Sequence, residues 1–304
     1  MKLLLTGGTG FIGRELIKHL TTHSVTLLTR DVATAKRILN HTDLGNIDYI
    51  DSLDTYNDLN EFDAIINLAG EPIADKRWSA AQKQRICDSR WKVTEKIVEL
   101  IHASTKPPST FISGSAVGYY GDQQDHPFDE SLKVHQDNFA HAVCDRWEEI
   151  AMRAQSDHTR VCILRTGVVL GDGGGALAKM MLPYKLGVGG PIGDGSQYMP
   201  WIHLLDMVRG IVFLLETDHA VGPYNLCAPH AVSNATFSKT LASTLGRPHF
   251  LMTPKWALKL AMGESSCLLF DSVRAKPKKL TEMGFNFSFP HIDTALKNII
   301  TNAR

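Results

Sequence analysis

The sequence predicts an α/β protein: a doubly wound parallel sheet forming a Rossmann domain, with a smaller C-terminal lobe on the substrate side. Three observations predict it. Short apolar runs alternate with helical stretches over residues 1–165, as when strands are buried on both faces by crossover helices. The first strand–helix turn carries glycines spaced by three, at Gly7, Gly10 and Gly13. After Arg165 the alternation breaks into a Gly-rich stretch, LGDGGGALAKMMLPYKLGVGGPIGDG, and a tail of helical segments and loops.

In order, Lys2–Thr6 reads as the first strand, followed by a helix over Phe11–Leu20 with Ile12, Leu16 and Leu20 on one face. Strands are expected at Ser24–Thr29, Ile47–Ile50, Asp63–Leu68, Thr110–Ser113 and Arg160–Arg165. Helices are expected at Val32–Leu39, Ala80–Ile101 and Asn138–Ala154. Right-handed crossovers between such strands build the doubly wound sheet. Beyond Arg165 a helical run spans Met207–Leu215, and Gly222–Cys227 (GPYNLC) reads as a strand returning to the first domain. Residues 1–165, with that return strand, form the expected nucleotide-binding domain, and 166–304 the substrate-side lobe and C-terminal extension.

Bulk properties exclude several classes. The 304 residues suit about two domains at ~150 residues each. Lys+Arg and Asp+Glu are 32 each, so the basic footprint of a nucleic-acid binder is absent. No apolar run reaches the ~20 residues of a membrane span, and Gly7, Gly8 and Gly10 cut short the apolar start. Neither nucleic acid nor membrane is expected as a partner; a homodimer stays open. The five cysteines form no CxxC pair, which fits reduced thiols in the cytoplasm. The thirteen histidines hold no HExxH, so no metal is expected.

The loop TGGTGFIG follows an apolar strand and opens a helix, which is the setting that gives the glycines meaning. Gly7 permits a tight turn, Gly10 lets the backbone approach a pyrophosphate, and Gly13 lets helix and strand pack closely. The helix N-terminus then offers unpaired N–H groups to the phosphates. Arg14 and Glu15 follow the last glycine where a P-loop needs Lys and Ser or Thr. The second strand closes with Thr29 and Arg30 where a NAD site carries an acidic residue. Arg30 matches a 2′-phosphate by a forked, charge-assisted contact, which favours NADP(H). The alternative leaves Arg30 in solvent and gives the ribose to Asp31.

TGGTGFIG, NLAGE at Asn67–Glu71, SAVGYYG at Ser115–Gly121 and RTGVVLG at Arg165–Gly171 together resemble an extended short-chain dehydrogenase/reductase. Arg77–Trp78, Ser89–Arg90, the run GGPIGDGSQYMPWIHLLD at Gly189–Asp206, and FSFP at Phe287–Pro290 resemble its atypical NADP(H)-binding branch, the epimerase family proteins. The resemblance covers nearly the whole chain. It implies that Gly7, Gly10, Phe11 and Ile12 line the pyrophosphate and that Thr29 and Arg30 hold the adenosine phosphate. Leu68 and Ala69 would flank the adenine-side ribose, Arg90 would look back at the cofactor, and Val169 would pass the nicotinamide. Thr9, Gly13, Gly70, Glu71, Ser113 and Arg165 complete the implied cofactor set. Solvation is the other reading of Arg90, and ordering a loop that of Arg165.

Short-chain dehydrogenases usually take a proton from a Tyr whose pKa is lowered by a Lys four residues on. No tyrosine here has Lys at that spacing; Tyr119 and Tyr120 have Gln123 and Gln124. In HQDNFAHAVCDRWEE, His141 or a neighbour falls at the Tyr position, and Cys144 or Asp145 at the Lys position. Candidate catalytic residues are therefore Ser115, as a hydrogen-bonding partner for a substrate oxygen, Tyr119, His141 and His203. Packing is the competing role for Tyr119 and His141, and capping a helix that for His203. The expected protein is an NADP(H)-dependent oxidoreductase or nucleotide-sugar epimerase-like enzyme acting on a carbonyl compound or nucleotide-sugar. A non-catalytic NADP(H)-binding sensor or scaffold is the competing reading. A hydrolase lacks its GxSxG elbow.

Overall fold

The computed structural model describes residues 1–39 and 47–302. Seven strands form one parallel sheet: β1 (Lys2–Thr6), β2 (Ser24–Leu28), β3 (Ile47–Ile50), β4 (Ala64–Asn67), β5 (Thr110–Ala116), β6 (Arg160–Thr166) and β7 (Gly222–Leu226). Their order is β7-β6-β5-β4-β1-β2-β3, and every pairing is parallel.

Apolar residues on both faces of the pleat explain why the strands sit inside. In β1, Leu3 and Leu5 join one core with Leu16, Ile17 and Met207, while Leu4 joins the other with Ile97, Ile101 and Ile150. Helices α1 (Phe11–Lys18) and α2 (Val32–Leu39) follow the first two strands, while α3 (Ala80–Ala103) and α4 (Phe139–Met152) cover the second core. The strand order reverses between β1 and β4, so a crevice opens beyond their carboxyl ends, where open α/β sheets bind ligands.

The C-terminal portion holds α5 (Gly175–Lys185), α6 (Leu204–Glu216), α7 (Asn234–Leu245), α8 (Lys255–Met262) and α9 (Ile292–Asn302). Its own core gathers Leu177, Trp201, Phe237, Leu241 and Leu296. Helix α6 instead packs against the main sheet through Met207, Ile211 and Leu214. Within this portion Trp201–His203 pairs with Val168–Leu170, and Val232–Ser233 with Tyr198–Met199. A further two-stranded ladder, Arg274–Ala275 beside Pro127–Phe128, ties the C-terminal extension to the loop after β5.

Element ends differ from expectation by a few residues, for local reasons. Asn138, expected inside α4, precedes it, and its side chain accepts the N–H of His141 at 2.9 Å as a cap. Strand β5 runs on to Ala116 through its register with β6, which places Ser115 inside the sheet, opposite Arg165.

Candidate functional site

The seat is built by β1, its turn and α1. Gly7 has φ +71, a left-handed conformation that favours glycine, and an added Cβ would sit 2.5 Å from the Leu68 carbonyl oxygen. At Gly13 an added Cβ would fall 2.3 Å from the Gly7 oxygen and 2.5 Å from the Gly8 Cα. The turn is closed by Gly10 N–H donating to the Gly7 oxygen at 3.0 Å. Gly10 caps α1 with no side-chain bond, and no acidic residue stands in the first turn. The N–H groups of Phe11, Ile12 and Gly13 are thus left to an incoming anion. Thr9, half-buried, and exposed Gly10 form the outer lip.

At the end of β2 the two candidates for the adenosine end separate. Asp31 caps α2: its carboxylate accepts the Thr34 N–H at 2.9 Å and the Thr34 hydroxyl at 2.7 Å. Those bonds hold the carboxyl below its ordinary range. Arg30 is exposed and makes no ion pair among the described residues. Thr29 anchors the strand end through its N–H to the Ile50 oxygen at 2.9 Å.

The end of β4 is fixed by a buried polar chain. Thr6 donates to Asn67 at 2.6 Å, Asn67 Nδ2 donates to the Thr94 hydroxyl at 2.9 Å, and the same hydroxyl accepts Trp147 Nε1 at 2.9 Å. Thr6 Oγ1 also accepts the N–H of Ala69 at 3.1 Å, setting the path of Leu68, Ala69 and Gly70. Ser89 then accepts the N–H of Glu71 at 2.9 Å, and Trp78 Nε1 donates to the Ile73 oxygen at 2.8 Å. Arg90 packs its guanidinium on Gly70 and over the Trp147 ring, 5.3 Å from its centroid. Among the described residues its guanidinium bonds to the Ile86 oxygen and the Ser89 hydroxyl, and burial lowers its pKa. A cation so placed, with no carboxylate partner among the described residues, suits a phosphate or ribose above it.

Beside this groove the end of β5 holds a second network. Ser115 donates its hydroxyl proton to Glu148 Oε1 at 2.6 Å. Glu148 also accepts Arg165 Nε at 2.9 Å and Nη2 at 2.8 Å. Arg165 Nη1 donates to the Tyr120 hydroxyl at 2.9 Å, and that hydroxyl donates to Asn225 at 2.8 Å. The Arg165 guanidinium lies 3.6 Å from the Tyr119 ring centroid. Tyr119 is buried; its carbonyl accepts His141 Nδ1 at 2.5 Å, so that nitrogen carries the proton. The residues of α4 that face Gly118 are Ala140 and Cys144. Burial pushes the Cys144 thiol up to about 11, so it carries no charge near neutral pH.

Residues 3–227 match the NAD dependent epimerase/dehydratase family. The chain belongs to that family. Residues 253–299 match a domain of unknown function, DUF1731. An epimerase family protein of Staphylococcus haemolyticus is 36% identical over 303 residues, covering 98% of this chain and 99% of the relative. The crystal structure of human epimerase family protein SDR39U1 with NADPH superposes with a TM-score of 0.89 at 34% identity, covering 99% of this chain and 100% of the human one. A nucleoside-diphosphate sugar epimerase of Corynebacterium glutamicum gives 0.78 at 29% identity, covering 99% of this chain and 58% of that one.

In this member of the epimerase/dehydratase family the expected site residues separate by position. Gly7, Thr9, Gly10, Phe11, Ile12 and Gly13 form the seat, and Leu68, Ala69, Gly70, Glu71 and Arg90 the neighbouring wall. Ser113 is fully buried on β5 and Val169 nearly so on the short strand Val168–Leu170. Arg165 spends its guanidinium on Glu148, Tyr120 and the Tyr119 ring. His203 caps α6, its Nδ1 accepting the Leu205 N–H at 3.0 Å, and its ring stacks on Phe289 at 4.0 Å. Asp206 accepts the N–H groups of Ser288 and Phe289, each at 2.8 Å, so the PWIHLLD cluster anchors FSFP. Trp201 is fully buried in the lobe core. Glu148 and the Thr6–Asn67–Thr94–Trp147 chain were not foreseen. Thr6 and Asn67 leave a trace in the sequence as the polar residue closing each apolar run, LLLT and AIIN.

Proposed function

We propose that the chain binds NADP(H) across the β1/β4 crevice and works as an oxidoreductase or nucleotide-sugar epimerase-like enzyme with a rebuilt proton relay. The observation that carries the coenzyme reading is the division of labour at the end of β2: Asp31 is engaged in capping, and the exposed Arg30 makes no ion pair among the described residues. The turn fits a dinucleotide because Gly7 and Gly13 let the backbone close tightly where a Cβ would strike Leu68 and Gly8, while at Gly10 a Cβ would meet only the Gly7 oxygen at 3.1 Å, which leaves the outer lip open to a pyrophosphate. The NADPH held by the human relative supports the choice of coenzyme. Bound NADPH supplies a hydride; the chain's own residues orient it and its acceptor.

Arg30→Ala is expected to weaken NADPH roughly 10- to 100-fold, the worth of a charge-assisted bond pair, and to leave NADH nearly unchanged. Calorimetric titration of both coenzymes checks this, and equal losses for both would end the reading.

The substrate class rests on the substrate-side lobe and on the sugar-nucleotide epimerase likeness. The competing reading, a non-catalytic NADP(H)-binding sensor or scaffold, is favoured by one observation. Ala140 and Cys144 face Gly118, where a proton donor and an ammonium would otherwise serve, and the Ser115 proton is committed to Glu148. NADPH oxidation with a panel of carbonyls and nucleotide-sugars separates the two: turnover supports the enzyme, and tight NADPH binding without turnover supports the sensor.

A further inference from the structure

Two stretches of the C-terminal lobe carry a surface unlike the rest of the chain. Residues 173–193, holding α5 and its following loop, and residues 246–263, holding α8, contain no Asp or Glu. They are joined edge to edge: Thr253 N–H donates to the Pro191 oxygen at 2.8 Å, and Gly193 N–H donates to the Thr253 oxygen at 2.9 Å. Of the eleven large apolar side chains exposed among the described residues, eight lie on these stretches. Leu186, Phe250, Trp256 and Leu260 are each 69–77% exposed.

Helix α8 has no buried residue, so its apolar side chains do not serve the fold's own core. Trp256 and Leu260 stand one turn apart, and Lys255 and Lys259 repeat the spacing on the adjoining face. With Lys185 and Arg247 these make four exposed cations without an ion pair among the described residues, whereas Lys179 is paired with Asp75 at 2.5 Å. The chain as a whole has no net charge, so the excess is local.

We propose that this face docks on an anionic lipid bilayer. A protruding apolar tip bearing Trp, Phe and Leu enters the headgroup–acyl boundary, while lysines reach back to the phosphates and carboxylates. The chain would lie on the bilayer; no helix among the described residues is long and apolar enough to cross it. A second copy fits poorly, since a two-fold contact would set the same cations against each other.

The test is co-sedimentation of the intact chain with vesicles of phosphatidylcholine containing phosphatidylserine, against phosphatidylcholine alone. Pelleting at least about tenfold stronger on the anionic vesicles is expected from four added attractions. Both Trp256→Glu/Leu260→Glu and Lys255→Glu/Lys259→Glu should abolish it with NADPH affinity unchanged, which shows that the variants remain folded. No pelleting, equal pelleting on neutral vesicles, or variants that pellet like the parent would each overturn the proposal. So would a concentration-dependent dimer, or a complex with an acidic protein, that replaces vesicle binding and is lost in the same variants.

Discussion

Glu148 accepts bonds from Ser115 and twice from Arg165 in a site closed to water. In that low-dielectric setting the carboxylate and guanidinium depend on each other, and removing one leaves the other buried and uncompensated. Glu148→Gln is therefore expected to cost about 3–5 kcal/mol, read as a shift in the denaturant midpoint. Replacing both partners, as Glu148→Leu with Arg165→Met, should cost less than the sum of the single changes, because no orphan charge remains. If Glu148→Gln left the midpoint unmoved, the pair would contribute nothing to the fold. The sequence did not announce this pair. A glutamate on a helix reads as a solvated charge until β6 is known to set Arg165 opposite Ser115. Gly7, Gly10 and Gly13 were readable because their spacing and setting are local.

At the scale of elements, the start of α6 does two jobs. His203 satisfies an amide of its first turn, and Asp206, fully buried, holds two amides of the FSFP segment. Asp206→Ala removes both acceptors and also the partner of Arg209, and should cost about 2–4 kcal/mol at the usual worth of charge-assisted bonds. Faster amide exchange confined to residues 284–302 would check it; uniform loss across the chain would point to a different role. The sheet and its four covering helices were legible because apolar strand runs and helical periodicity repeat without interruption up to Arg165. Helix α5 was not placed, since Gly173–Gly175 and Pro183 break its pattern and only packing of Leu177 and Tyr184 into the lobe core reveals it.

Taken as a whole, the molecule folds its C-terminal extension back onto the loop after β5. Ser272 N–H donates to Asp122 at 3.1 Å, and Gln123 N–H donates to the Ser272 oxygen at 2.9 Å. This brings Asp271 near Asp122, and burial followed by that like charge pushes the Asp271 carboxyl up to about 6. A carboxyl whose folded pKa lies above its unfolded value binds its proton more tightly in the native state. Its contribution is thus full below about pH 4 and lost as pH rises towards about 6. Asp271→Asn should melt about 2 °C higher than the parent near pH 7 and no higher near pH 4; an advantage equal at both would refute the assignment. Such a closure across some 150 residues lies beyond any local pattern in the chain.

The ring of Phe11 sits against Gly171, Gly174 and Gly175, where added Cβ atoms would come within 2.7–3.0 Å of it. The first residue of α1 is thereby packed against the glycine-rich loop that leads into α5. A side chain introduced at Gly175, whose φ of +68 already favours glycine, would press on that ring and so on the turn that Gly7 and Gly13 shape.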